Sequence, residues 1–151
     1  MTPRLGRIVT SVCGLLIAAM PASAHHGFSV EFDPKKCADM SGTLTGVSWE
    51  NPHVHFTMDV KDADGKVKSW TIEVNSIPAM RRSAGIQRQD FLDNVGKTIV
   101  VRGCPTKAGG TLYRAAAETI KLSDGRLHIV GQDVEGLGFN KGSGVQINQV
   151  Q

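Results

Sequence analysis

Aromatic residues are scarce. Two Trp, one Tyr and five Phe make up 5% of the 151 residues, too few to build the stacking platforms on which single-stranded nucleic acids are bound. Charge of one sign is scarce as well: the formal net charge is +3, which does not draw the chain to a phosphate backbone, and no nucleic-acid partner is expected. No G-x-S-x-G turn presents a nucleophilic serine, and no Gly-rich loop lies between a strand and a helix to hold phosphate. No apolar run is long enough to span a bilayer comfortably. What is present, 40% hydrophobic and 21% charged residues, suits one globular domain with one core.

The first 24 residues should stay out of that core. Arg4 and Arg7 precede an apolar run from Ile8 to Met20, followed by Pro21 and Ala22-Ser23-Ala24. A basic start, a short apolar middle and a small-x-small ending make residues 1–24 a secretory signal peptide; the alternative, an N-terminal membrane anchor, needs a longer run. Lipoprotein processing at Cys13 is disfavoured by Val12 and by the apolar residues that would follow the modified cysteine. The mature chain is therefore expected in the periplasm or outside a bacterial cell, without a stable membrane span. It keeps Cys37 and Cys104. In an oxidising compartment a single disulfide is the default. It would close about 67 residues and add on the order of 4 kcal/mol in the chain-entropy account. Two thiolates serving as soft metal ligands are the competing reading.

Residues 25–41 read as an extended arm, because Asp33-Pro34 breaks any helix. Residues 42–130 read as a β domain. In Gly42–Trp49, Thr43, Thr45, Val47 and Trp49 share one face and Gly46 marks a bend or bulge. Asn51-Pro52 turns the chain, and from His53 to Val60 the residues Val54, Phe56, Met58 and Val60 alternate with His53, His55, Thr57 and Asp59. Asp62-Ala63-Asp64-Gly65 is a hairpin turn leading to a strand that carries Trp70, Ile72 and Val74 on one face. Ser76 and Pro78 open a short helix that ends before Gly85, and a second helical turn over Asp90–Val95 ends at Gly96. A buried strand over Lys97–Gly103 follows. The segment 111–122 is helical by its alanines, while Leu112, Ala116, Ile120 and Leu122 fit period two; it is assigned as a strand, since a sheet needs a closing partner. A short strand over Leu127–Val130 precedes a tail, 131–151, rich in Gly, Asn and Gln and expected to be flexible. Three strands, a helical connection and two or three more strands give an all-β fold, a small OB-like barrel of five to six strands.

The chemistry concentrates in the histidines. Cleavage after Ala24 would leave His25 with both an α-amine and an imidazole, a chelating pair beside His26. Imidazole-rich sites suit copper first, with zinc or nickel next. His53 and His55, side by side on a polar strand face, supply further nitrogens, and Glu73 is placed to orient a histidine ring as an outer carboxylate. Each has a plainer reading: paired surface histidines without metal, a His53 ring bonded to the Asn51-Pro52 turn, a solvent-facing His55, a Glu73 that is solvated on its strand or paired with Arg81. Met58 and Met80 sit where core packing explains them.

His25-His26-x-Phe28, Trp49-x-Asn51-Pro52-His53, Trp70-x-x-Glu73, a following Arg81 and Asp124-Gly125-Arg126 together resemble a family of small exported bacterial proteins classed as a domain of unknown function, over about residues 25–130. That family usually has Ser in place of Gly27, and His55, Cys37 and Cys104 lie outside its pattern. The resemblance implies export and a small β domain and brings no activity or catalytic residues with it. Two functions follow from the residues. One is a periplasmic metal-binding module, for copper first, using His25, His26, His53 and His55. The other is a non-catalytic β module for a partner protein or small ligand, its histidines fixing the arm to the barrel. An oxidative copper enzyme ranks third, since so short a chain shows no evident substrate groove.

Overall fold

The computed structural model describes residues 27–83, 85–109 and 112–136. The expected signal peptide, His25, His26 and residues 137–151 of the expected tail lie outside the described residues.

Six strands form one sheet: β1 (Ala38–Ser48), β2 (His55–Lys61), β3 (Val67–Glu73), β4 (Thr98–Pro105), β5 (Arg114–Lys121) and β6 (Leu127–Ile129). Their order is β3-β2-β1-β4-β5-β6, and β3 also pairs with β5. That last pairing is parallel, from Thr71 opposite Arg114 to Glu73 opposite Ala116, and it closes β1 to β5 into a barrel, leaving β6 as an added strand along the far end of β5. Two short helices, α2 (Ile77–Ser83) and α3 (Arg88–Leu92), connect β3 to β4. This is the OB-like arrangement expected from the order of elements. Among the described residues no helix is long and apolar enough to cross a membrane.

Local chemistry explains most of these elements. In β2, Phe56 and Met58 are buried while His55 and Thr57 stay half-exposed, the alternation of a strand with one face inward. At the β2–β3 turn the Asp62 carboxylate accepts the N–H groups of Asp64 and Lys66, and Gly65 takes φ +80°. Asp90 accepts the Gln87 N–H at 2.7 Å and opens α3, whose Phe91 is buried against Phe56 and Trp49, ring centroids 5.5 and 5.7 Å away.

Two bulges break the period of two. In β1, Leu44 pairs with Met58 and Gly46 with Thr57, so Thr45 is the extra residue; the bulge falls where Gly46 suggested it. It lets Leu44 and Val47, which strict alternation sets on opposite faces, both pack on the core. In β5, Thr119 pairs with Arg102 and Ala117 with Gly103, so Glu118 has no partner in the ladder. Ala115 and Ala117 on one side of this bulge and Ile120 and Leu122 on the other therefore all face the barrel interior. The segment 111–122 is thus a strand from Arg114 onward, and Leu112 is exposed rather than in register with the core.

The N-terminal segment differs from the expected extended arm. Phe28–Glu31 form a single helical turn, α1, because Phe28 and Phe32, four residues apart, project to the same side and both bury. They join Cys37, Cys104, Ala116 and Val134 in a second apolar cluster on the outer face of β4 and β5. Strand β1 begins at Ala38, four residues before the expected Gly42, because Ala38 to Ser41 already pair with β4. The first residues of the expected flexible tail are held against the barrel. The N–H groups of Val130 and Gly131 donate to the Glu118 carbonyl at 3.0 and 3.1 Å, and Val134 is buried. Gly131 lies so close to the Ala117 carbonyl that any Cβ there would collide with backbone. Cys37 and Cys104 form the expected disulfide.

Candidate functional site

The turn at Asn51-Pro52, both exposed, contains a cis peptide bond. Val54 beyond it is fully buried, and its N–H and carbonyl bond Asn75 and Val74 at 3.3 and 3.0 Å. Burying Val54 turns its neighbours His53 and His55 to the opposite side. Cross-strand pairing sets His55 opposite Glu73, and the two rings flank that carboxylate: His53 Nδ1 is 2.5 Å from Glu73 Oε1, and His55 Nε2 is 3.5 Å from Oε2. A His53 that holds its proton on Nδ1 donates to Glu73 and keeps Nε2 as an acceptor. The His53 ring's partner is thus the Glu73 carboxylate rather than the Asn51-Pro52 turn.

The cation on Glu73 is Arg114, not Arg81. Arg114 Nη2 lies 3.5 Å from Glu73 Oε2, and Nη1 lies 3.1 Å from Glu31 Oε1. The parallel β3–β5 pairing explains the exchange, since it sets Arg114 opposite Thr71, two residues from Glu73. Arg81 is exposed at a separate shallow groove with Gly85 and Gln87. Phe28 completes the site, its ring 5.0 Å from that of His53. A groove of about 300 Å³ runs past His55 along Val47, Ser48, Thr57 and Thr71. Trp49 and Trp70 serve packing, against Phe91 and Tyr113 respectively, and Met58 and Met80 are core.

Glu73 stands between the two imidazoles rather than sharing one point with them. Among the described residues, one set of three side chains brings potential metal donors within 4.8 Å of one another, and it is elsewhere: Cys37, Cys104 and Glu118. Glu118 is fully buried. Its Oε1 accepts the Glu135 N–H at 2.7 Å. Burial pushes its carboxyl up to about 7, an effect the Glu135 N–H partly offsets. The nearby guanidinium is committed elsewhere: Arg102 makes two 2.8 Å bonds to the Glu135 carboxylate and a longer one, 3.4 Å, to Asp39. Those bonds hold Glu135 below the usual carboxylate range.

A family described as a family of unknown function, DUF6152, matches residues 13–113. The chain belongs to DUF6152. The match takes in His53, His55, Glu73, Cys37 and Cys104, and stops short of Arg114, Glu118 and the Asp124-Gly125-Arg126 motif. No curated protein and no solved structure matches this DUF6152 chain.

Sequence reasoning missed Glu31, Arg114 and Glu118. Glu31 and Arg114 carry no motif; only the closure of the barrel brings them to Glu73. For Glu118 a signal existed: a lone acid amid Ala115, Ala116, Ala117, Thr119 and Ile120 sits where a strand assignment requires burial.

Proposed function

We propose that the mature protein is an exported β-barrel module that binds a transition-metal ion, copper first, at the barrel rim marked by His53 and His55. The observation that carries this reading is Glu73, which grips the Nδ1 side of His53 and so presents Nε2 as a ligand, the arrangement by which outer carboxylates orient metal-binding histidines. The two imidazoles lie on either side of Glu73, and a groove runs past His55. The α-amine and imidazole of His25, with His26, complete the donor set. Phe28, three residues after His25 in the sequence, rests on the His53 ring.

Calorimetric titration of copper(II) into protein that begins at His25 tests this. Binding with one-to-one stoichiometry is expected, weakened at least tenfold by a single added N-terminal residue and 10–100-fold by Glu73→Gln. Equal affinity for the extended and mature forms excludes the amine as a ligand.

A second reading rests on the contacts from Phe28 to His53 and from Glu31 to Arg114. Here the module binds a partner protein or small ligand, and the histidines hold the N-terminal segment to the barrel. His53→Ala would then speed hydrogen exchange at residues 28–32, and the wild-type protein would take up no copper.

A further inference from the structure

The outer face of β4 and β5 carries a second site, independent of the histidines. Cys104 is fully buried and Cys37 half-buried. The carboxyl of Glu118 lies within 4.8 Å of both sulfurs. Glu118 is the bulged residue of β5, and bulges re-aim side chains next to reactive sites. No donor reaches its Oε2 among the described residues, the Glu135 carboxylate facing it favours its acid form, and Arg102 is bound to Glu135 and Asp39 rather than to Glu118. A disulfide that only staples two segments gains nothing from a buried, half-satisfied acid beside it, and such a group costs stability.

We propose that Cys37–Cys104 is a thiol–disulfide exchange centre for a dithiol partner, with Glu118 as the proton donor to Cys104. A thiolate of the partner attacks the more accessible Cys37 Sγ, the S–S bond breaks, and Cys104 Sγ leaves with the electron pair and takes the proton of the Glu118 carboxyl. The partner's second thiolate then attacks its own sulfur in the mixed disulfide and releases Cys37 as a thiolate, which water protonates; water also returns a proton to Glu118. The partner dithiol is oxidised to its disulfide, and Cys37 and Cys104 become two thiols. Both thiols have acceptors in place. The carbonyl oxygens of Asp33 and Pro34 lie 3.6 Å from Cys37 Sγ, and Glu118 stands beside Cys104. Near neutral pH the raised carboxyl of Glu118 exists in both its acid and its base form, as a proton relay requires. The charged groups around it are Glu135, Arg102 and Asp39.

The test is reduction of the mature protein by dithiothreitol, followed by thiol alkylation and mass spectrometry, beside the unfolding rate from far-ultraviolet circular dichroism. The wild-type reduction rate should rise linearly with dithiothreitol and exceed the unfolding rate, and Glu118→Gln should slow it tenfold or more. A rate that saturates at the unfolding rate, or an equal rate in the variant, overturns the proposal. The wild type provides a check that does not depend on the variant folding: corrected for the thiolate fraction of dithiothreitol, its rate constant should fall about tenfold per pH unit above neutrality as Glu118 loses its proton. A flat profile overturns the proposal.

Discussion

Glu73 and Glu118 are both buried carboxylates, on the two strands whose parallel pairing closes the barrel, and they keep different company. Glu73 has two imidazoles and a guanidinium around it. Glu118 has a backbone N–H, two sulfurs and the Glu135 carboxylate, with no cation of its own. The folded protein therefore holds the Glu118 proton more tightly than the unfolded chain, whose carboxyl titrates near the ordinary 4.5. The stability this adds is fully present below about pH 4.5 and is lost as pH rises through about 7. Urea unfolding at pH 5 and pH 8 reads the effect: the wild type should lose markedly more stability between the two than Glu118→Gln. The same pH dependence in both proteins would mean that Glu118 titrates as an exposed acid.

Elements were legible where periodicity was unbroken and illegible where a bulge shifted it. The eight residues from His53 to Val60 alternate without a slip, and β2 follows them. That alternation alone placed His53 and His55 on one face, and cross-strand register then delivered them to Glu73. In β5 the inserted Glu118 moves the inward set from Ala115 and Ala117 to Ile120 and Leu122, so neither helical nor strict strand spacing fits the whole segment. The N-terminal arm failed differently: Pro34 shows where a helix must stop, and the single turn before it exists because Phe28 and Phe32 find an apolar bed on β4 and β5. Arg114 was out of reach of any local pattern, because its partners belong to α1 and β3. Two substitutions test these elements by thermal and urea melts. Phe32→Ala, at a site 1% exposed, should cost about 3–5 kcal/mol. Gly131→Ala, which drives a methyl into the Ala117 carbonyl, should cost about 3 kcal/mol by forcing the strand end away from β5.

Across the whole molecule, one barrel carries two outer sites of different chemistry, imidazole with carboxylate at the rim and sulfur with carboxyl across β4 and β5. The sulfur site joins segments far apart in the sequence: Phe28 and Phe32 share their cluster with Val134, and Glu135 reaches back to Arg102 and Glu118. Segments that meet on one face let the backbone be rejoined between them and cut open elsewhere. A circular permutant of residues 27–136, with a short Gly-Ser linker from residue 136 to residue 27 and new termini in the exposed turn at Ala63–Asp64, should fold with the wild-type circular dichroism spectrum and keep the Cys37–Cys104 bridge. In such a ring the segments before β1 and after β6 would become a single loop threaded over the disulfide, and the order in which strands leave the ribosome would no longer decide when that bridge can form.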